Sequence, residues 1–525
     1  MLEQGKDRSW DTAVEETAYG ALILSEARRL DFMEDLKDHI DYSIEQGARF
    51  LKTASDTESS RREQPRHRCP ILTQAYKLVA IRKSAQQSST AQVDTQYQSI
   101  KGSEKAAMAQ LKLFSKTPLF SEVPQWQIRA SLIEAKLFLP LLRPLRLKTF
   151  PREDMEADKY FEIIPFTWTA CNNRRQTFAS TSLLFEMMVI SFLNYQADEF
   201  MEAVAGPAFE GDLDSLRELI RGLFIDEEED ERQKELIYAT AAKRHEQQEQ
   251  EQEHEHEHEQ EHKVRDPLSK FVAHVLQHPA VRNASPWDRE HVKRNLRTFL
   301  LAHVTQTEDN CRFAASQDQG SLTFTGAGDS FYHWVHTTSA DHTSCPYAFA
   351  FISCLIASSL AGGEGEGEGE SEDCFPTATQ KYLAEAMCRC LATMCRMYND
   401  YGSVSRDRLE GNLNSVNFPE FLTESPASIP SGSHDEEDEI TARKETLLAL
   451  AGYEREDLNE IFSRLDAAIE SASEEKTSTS EFRSREKRKM AIVGMFIDVT
   501  DLYGQIYVIR DIASRMTRNV GSAGK

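Results

Sequence analysis

Basic residues are scarce in this chain: 61 Lys and Arg stand against 86 Asp and Glu, a formal charge of −25 over 525 residues. Such a surface repels phosphate backbones and anionic bilayers, so neither nucleic acid nor a membrane is expected as the main ligand. Much of the excess acid sits in low-complexity runs, where it serves solubility rather than recognition. Cysteine is thin as well. Nine are present, with no CxxC pair and no framework spacing, which excludes a disulfide scaffold and a zinc ribbon. Cys388, Cys390 and Cys395 crowd one stretch and are expected to be reduced thiols of a cytosolic protein. The N-terminus MLEQGKDRSW has no apolar h-region, so no signal peptide is expected, and no transmembrane span either. Strand-like alternation is nearly absent.

What the chain does have is apolar residues, 40% of the total, recurring at helical period. The clearest stretches are Ala18–Phe50, Leu72–Ser84, Trp126–Leu142, Thr181–Val204, Tyr347–Leu360, Lys381–Tyr398 and Met490–Ser514. The fold class is therefore expected to be all-α. Compositional breaks interrupt the helices: a polar segment at 53–68, a Glu/Gln/His tract at 245–262, a GEGEGEGE run within 361–373, and a Ser, Pro and acid-rich segment at 424–438. None can bury enough apolar surface to offset the entropy of ordering, so each reads as a solvated loop or disordered insert. The alternating His and Glu at 254–258 also fit a transition-metal tract.

Two acidic clusters carry the chemistry. In the first, Asp198 and Glu202 stand four apart with Glu199 beside them, so Asp198 and Glu202 share a helix face. This cluster closes an apolar helix, where acids also serve simply as a solvated mouth. A helix C-terminus disfavours each of them by about 0.3–1 kcal/mol, a penalty a bound dication would reverse. In the second, Asn399, Ser403 and Asp407 repeat at intervals of four, offering an amide oxygen, a hydroxyl and a carboxylate. The segment Asn399-Asp-Tyr-Gly-Ser403 also fits a turn at a helix end. If both faces turn toward each other they form an oxygen-only cage for hard cations such as Mg²⁺, able to hold a diphosphate through its metals. Arg396, one turn before Asn399, is placed to grip that diphosphate bidentately or to make a surface ion pair. Arg406 and Arg408 are further anion candidates. Asp226–Asp230 fits the first pattern loosely, but it opens a charged run with no apolar wall around it.

At these residues the chain resembles the class I α domain of terpene synthases, and more closely the fungal bifunctional copalyl diphosphate synthase/ent-kaurene synthase family. The likeness spans roughly residues 105–525. It rests on Ile164–Asn173, Leu193–Glu202, Ala340–Phe349 and Met397–Ser403 continuing through Asn412–Phe421. Two departures stand out. The first cluster has Glu where the common DDxxD signature has its later Asp residues, and Asp407 stands where Glu is usual. Residues 1–104 resemble the tail of the family's class II α-barrel half, although its DxDD general-acid motif appears nowhere in the chain. Class II activity is expected to be absent.

The resemblance implies three Mg²⁺ ions, held by Asp198, Glu199 and Glu202 on one side and by Asn399, Ser403 and Asp407 on the other. With Arg396 they would stabilise the diphosphate leaving a copalyl-type substrate, whose carbocation closes to a diterpene hydrocarbon such as ent-kaurene. Direct cyclisation of linear geranylgeranyl or farnesyl diphosphate, and an inactive scaffold, are the alternatives. The copalyl substrate would come from a separate class II cyclase as functional partner. Phe166, Trp168, Phe185, Trp334, Tyr347 and Phe349 are candidates to line the hydrocarbon pocket, although core packing suits each of them better.

Overall fold

A computed structural model describes residues 4–5, 8–10, 14–28, 30, 33, 36–54, 70–85, 104–151, 160–224, 251–317, 323–324, 328–360, 372–422, 436–475 and 480–509. Among these the only β pairing is an isolated bridge between Gln4 and Trp10; the rest is helix and turn, so the all-α expectation holds. The chain divides into two compact units, residues 1–111 with 124–133 and residues 112–123 with 134–525.

The first unit holds three packed helices, α1 (Val14–Ala27), α2 (Lys37–Thr53) and α3 (Pro70–Ala85). The stretch of helical period over Ala18–Phe50 thus falls on two helices, α1 and α2. Ala18, Ala21, Leu51 and Ala80 form their core. Trp10 lies over Gly20 and Gly47, where an added Cβ would fall 2.9 and 2.8 Å from its ring. Only a residue without a side chain lets the indole approach that closely.

The second unit carries every candidate site residue. Its helices include α4 (Ile163–Arg175), α5 (Thr181–Phe200), α6 (Glu251–Leu276), α7 (Pro286–Gln317), α8 (Cys345–Leu360), α9 (Ala378–Glu410), α10 (Glu436–Glu475) and α11 (Ser480–Ile509). Helix α6 starts inside the 245–262 tract read as an insert. Helix α9 packs on α10 and α11, α7 packs on α8, and α11 also meets α4. One stretch, Phe482–Ile509, is long and apolar enough to cross a membrane, yet 83% of its apolar window is buried inside the protein. It is placed as a core helix.

Helix α9 runs unbroken for 33 residues from a Thr377 cap, whose hydroxyl accepts the Gln380 N–H, to a left-handed Gly411 at φ 73°. The NDYGS segment is therefore helix and not a turn. Gly402 is there for packing: a Cβ would sit 2.4 Å from the Tyr507 carbonyl oxygen on α11. The contact is reciprocated at Gly504, where a Cβ would meet the Tyr398 ring at 2.6 Å. Asp226–Asp230 lies outside the described residues, and so do the side chains of 254–258.

Candidate metal and diphosphate site

Helix α5 starts at Ser180, whose hydroxyl accepts the Leu183 N–H, and its apolar face from Leu183 to Leu193 is buried. It does not stop at the acids. A π-helical turn, Met201–Ala205, and a short turn, Gly206–Ala208, carry it on, so the acids sit inside a longer helical run. A π turn widens the spiral locally and is a frequent feature of functional sites. Asp198, Glu199 and Glu202 all line one cavity of about 850 Å³.

Helix α7 supports this wall. His303 Nε2 meets Asp198 Oδ1 at 2.7 Å, and its Nδ1 meets the Phe299 carbonyl at 3.0 Å. Both partners are acceptors, an arrangement that favours the protonated ring, which can donate from each nitrogen. Burial opposes that charge, but the hydrogen bond and charge of Asp198 outweigh it, and the His303 pKa is raised. Burial likewise pushes the Asp198 carboxyl up, while His303 by hydrogen bond and charge brings it below its ordinary value. The Asp198 side chain keeps 43% of its surface open, toward the cavity. Glu202 has no such partner. Burial first, then the Asp198 charge, push its pKa up to about 7.

His342 stacks on His303 with ring centroids 4.0 Å apart. Burial, then the His303 charge, hold its pKa well below the usual histidine range. It arrives through a second π turn, Val335–Ser339, and a short helix ended by extended Thr343. The chain leaves helical geometry at Thr343 and Ser344, and His342, Thr343, Ser344 and Cys345 line the cavity. Asp341 turns away to pair with Arg389 at 2.6 Å. His303 gave no signal, because a lone histidine on an amphipathic helix looks like any core histidine.

Helix α9 forms the other wall. Asn399, Arg396, Arg406 and Asp407 line the same cavity, while Ser403 is buried behind them and Arg408 is exposed. Ser403 donates its hydroxyl to Asp407 Oδ2 at 2.5 Å. Asp400, which sequence reasoning passed over, is fully buried; its Oδ1 lies 2.7 Å from Arg396 Nε in an ion pair without good hydrogen-bond alignment. Arg396 also reaches His342 Nδ1 at 3.5 Å and lies 5.8 Å from the Trp334 ring centroid. Spacing alone placed Arg396 at the mouth; what fixes it there is Asp400, one turn on.

The remaining lining is aromatic, but not mainly with the expected rings. Of the six candidates only Trp168 lines the cavity. Phe166 stacks on Phe114, Tyr347 packs against Phe271 and Phe299, Trp334 donates to Asp309 at 3.0 Å, and Phe349 is buried near Phe375 and Phe496. Phe185 is half-buried off the cavity. In their place stand Phe299, Phe496 and four tyrosines, 160, 195, 503 and 507. Tyr160 stacks on Tyr195 at 3.7 Å and its hydroxyl meets that of Tyr507 at 2.9 Å. Burial raises all four phenol pKa values, so these rings are neutral and electron-rich.

The donor set fits Mg²⁺. Hard dications take oxygen ligands and keep some of their waters. Here carboxylates from α5 and an amide and a carboxylate from α9 face one cavity. Two further lining oxygens, Asn194 Oδ1 and Gln306 Oε1, are buried with no hydrogen-bond partner. A dication would also offset the burial and the Asp198 charge that push the Glu202 pKa up to about 7. Asp198, His303 and His342 bring one donor atom each within 4.8 Å of one another, but His303 Nε2 is already engaged by Asp198 and its Nδ1 by the Phe299 carbonyl.

No protein-family model and no solved structure matches the chain. Curated proteins do. A pimaradiene synthase of Emericella nidulans is 40% identical over 518 residues, which cover 97% of this chain and 50% of that protein. An ent-kaur-16-ene synthase of Fusarium fujikuroi is 37% identical over 524 residues, 98% of this chain and 51% of that protein. A bifunctional premutilin synthase of Clitopilus passeckerianus is 26% identical over 472 residues, 89% of this chain and 45% of that protein. The chain spans about half the length of the curated relatives it matches. Over nearly all of its own length, then, it is homologous to the fungal diterpene synthases, bifunctional ones among them.

Proposed function

We propose that this chain is a class I diterpene cyclase that ionises a copalyl-type diphosphate and closes the carbocation to a hydrocarbon of the ent-kaurene or pimaradiene kind. The observation that carries the reading is the shared cavity. Oxygen donors from α5 and α9 occupy one part of its surface and aromatic rings another, which matches a substrate with an anionic head and an apolar body.

Asp198, Glu199 and Glu202 on one wall, with Asn399 and Asp407 on the other, would hold Mg²⁺, three ions by the family pattern. Bound there, the metal would neutralise charge developing on the departing diphosphate. Arg396 supplies fixed positive charge at the same mouth. At about 4 Å and an effective dielectric near 20, opposite unit charges attract by about 4 kcal/mol, so each converging cation matters. His303 holds Asp198 ionised, ready to act as a ligand. The rings of Trp168, Tyr160, Tyr195, Phe299 and Phe496 exclude water and face a cation with their electron-rich surfaces, worth about 0.5–2 kcal/mol per ring.

The copalyl-type substrate would come from a class II active site that these 525 residues do not include, since no DxDD motif occurs among them. Purified protein incubated with Mg²⁺ and copalyl, geranylgeranyl or farnesyl diphosphate, followed by analysis of the hydrocarbon extract, tests the reading. Product from a copalyl isomer is expected. Product only from a linear diphosphate would move the assignment to a direct cyclase. No product and no EDTA-sensitive diphosphate release would overturn it.

A further inference from the structure

Nothing in the spacing of the α9 triad explains how Asp407 is aimed, and the loop that follows the helix supplies the answer. We propose that Asn414 and Ser415, just beyond the helix end, are the positioning residues of the second wall: Asn414 sets the Asp407 carboxylate and Ser415 sets Arg396 through Asp400. The proposal rests on the metal and diphosphate reading given above.

Asn414 is 2% exposed, and its amide is oriented by its own loop. Its Oδ1 accepts the Val416 N–H at 3.2 Å as the cap of a short 3-10 turn, and its backbone N–H donates to Asn417 Oδ1 at 2.9 Å. With the oxygen committed to the cap, Nδ2 must point at α9. There it donates to Asp407 Oδ2 at 2.7 Å and to the Asp400 carbonyl at 2.9 Å, with a longer contact to Ser403 Oγ at 3.4 Å. Asp407 Oδ2 therefore takes two donors, Asn414 Nδ2 and the Ser403 hydroxyl. Only Oδ1, with Arg406 at 3.4 Å, is left for a cation. Ser403 is fully buried and gives its proton to Asp407, so it too acts on the carboxylate and not on an ion.

Ser415 makes the matching link. Its N–H donates to Asp400 Oδ2 at 3.0 Å and its hydroxyl to the same oxygen at 2.6 Å. That leaves Asp400 Oδ1 for Arg396. Second-layer partners of this sort change metal affinity by about 10–100-fold when removed.

The test uses the full chain, with Mn²⁺ binding read by electron paramagnetic resonance and pyrophosphate binding read by calorimetry in the presence of Mn²⁺. Asn414→Ser keeps a capping oxygen but cannot reach Asp407. It is expected to weaken Mn²⁺ binding by about tenfold or more. Ser415→Ala is expected to leave Mn²⁺ binding unchanged and weaken pyrophosphate binding. If the loop only stabilises the fold, both variants will lower the melting temperature and bind both ligands like the parent, which overturns the proposal. A parent protein that binds no Mn²⁺ overturns it too. Should Asn414→Ser fail to fold, Ser415→Ala alone decides the Arg396 link, and Ser403→Ala, expected to weaken Mn²⁺ like Asn414→Ser, decides the Asp407 link. A parent that binds Mn²⁺ and pyrophosphate but yields no hydrocarbon would sink the cyclase reading and leave this one to stand or fall on the titrations.

Discussion

The two walls of the cavity are built on opposite principles. On α5 the carboxylates line the cavity; Asp198 is held by His303, while burial and then the Asp198 charge push the Glu202 pKa up to about 7. On α9, Asp400, Ser403 and Asp407 are buried, and hydroxyl and amide donors from the helix and the following loop reach Oδ2 of both carboxylates. Under the proposed reading, a cation would offset the charge on the α5 wall, while the α9 carboxylates are already held by their own donors. Preorganisation on one side and electrostatic demand on the other would together favour a bound anion–metal assembly over either component alone.

The sharpest way to break this comparison is to remove one donor from each wall. Asp198→Ala and Asn399→Ala are each expected to cut hydrocarbon formation by about 10²–10³-fold or more while leaving the far-ultraviolet circular dichroism of the parent. Activity retained by either variant removes that residue from the site. Next in size, Asp400→Asn keeps an acceptor for Ser415 but deletes the charge facing Arg396. Breaking a buried pair on one side costs about 3–5 kcal/mol, so a large drop in denaturant midpoint is expected; Asp198→Asn, on the open wall, should move that midpoint far less. Gly402→Ala would drive a methyl into the Tyr507 carbonyl. Overpacking of this kind costs about 1–3 kcal/mol, which melting curves of parent and variant would resolve.

The smallest expected effect is titration of Glu202. Its folded pKa lies above its unfolded value of 4.5, so the folded state holds the proton more tightly and ionisation works against folding. In EDTA, stability should fall as pH rises from about 5 to about 7, and Glu202→Gln should flatten that slope. Because Glu202 is open to cavity water, the change is screened to about a degree or two in melting temperature. Added Mg²⁺ should reverse it above pH 7. A slope that is identical in the Gln variant would place the titration elsewhere.

Much of this was legible in the residues, because helical period and carboxylate spacing are local properties. The all-α class, Asp198 with Glu202, and Asn399 with Asp407 follow from intervals along the chain, and the structure brings all four to one cavity. What spacing cannot show is which neighbour a side chain meets from elsewhere in the sequence. His303 is 105 positions from Asp198, and the Tyr160–Tyr507 pair is 347 apart. Five of the six aromatic candidates miss the cavity for a related reason. Rings next to a motif in sequence, such as Phe166 and Tyr347, are as apt to point into the core as into the pocket. Gly402 was readable as a turn only because a glycine's tight packing partner is invisible in one dimension.

Two glycine contacts lock α9 to α11, one with a tyrosine ring and one with a tyrosine carbonyl. A rod notched at one point still pivots; notched at two points a single turn apart, it neither pivots nor slides. Tyr398 sits in the dent at Gly504 and Tyr507 lies in the dent at Gly402, with Asn399 and Ser403 immediately beside them in the chain. A slip of one position along the axis would push a ring or a carbonyl against a Cβ at either end. The ladder of donors on α9 is thus a fixed ruler, and any closing of the cavity around a guest has to come from the helices across from it.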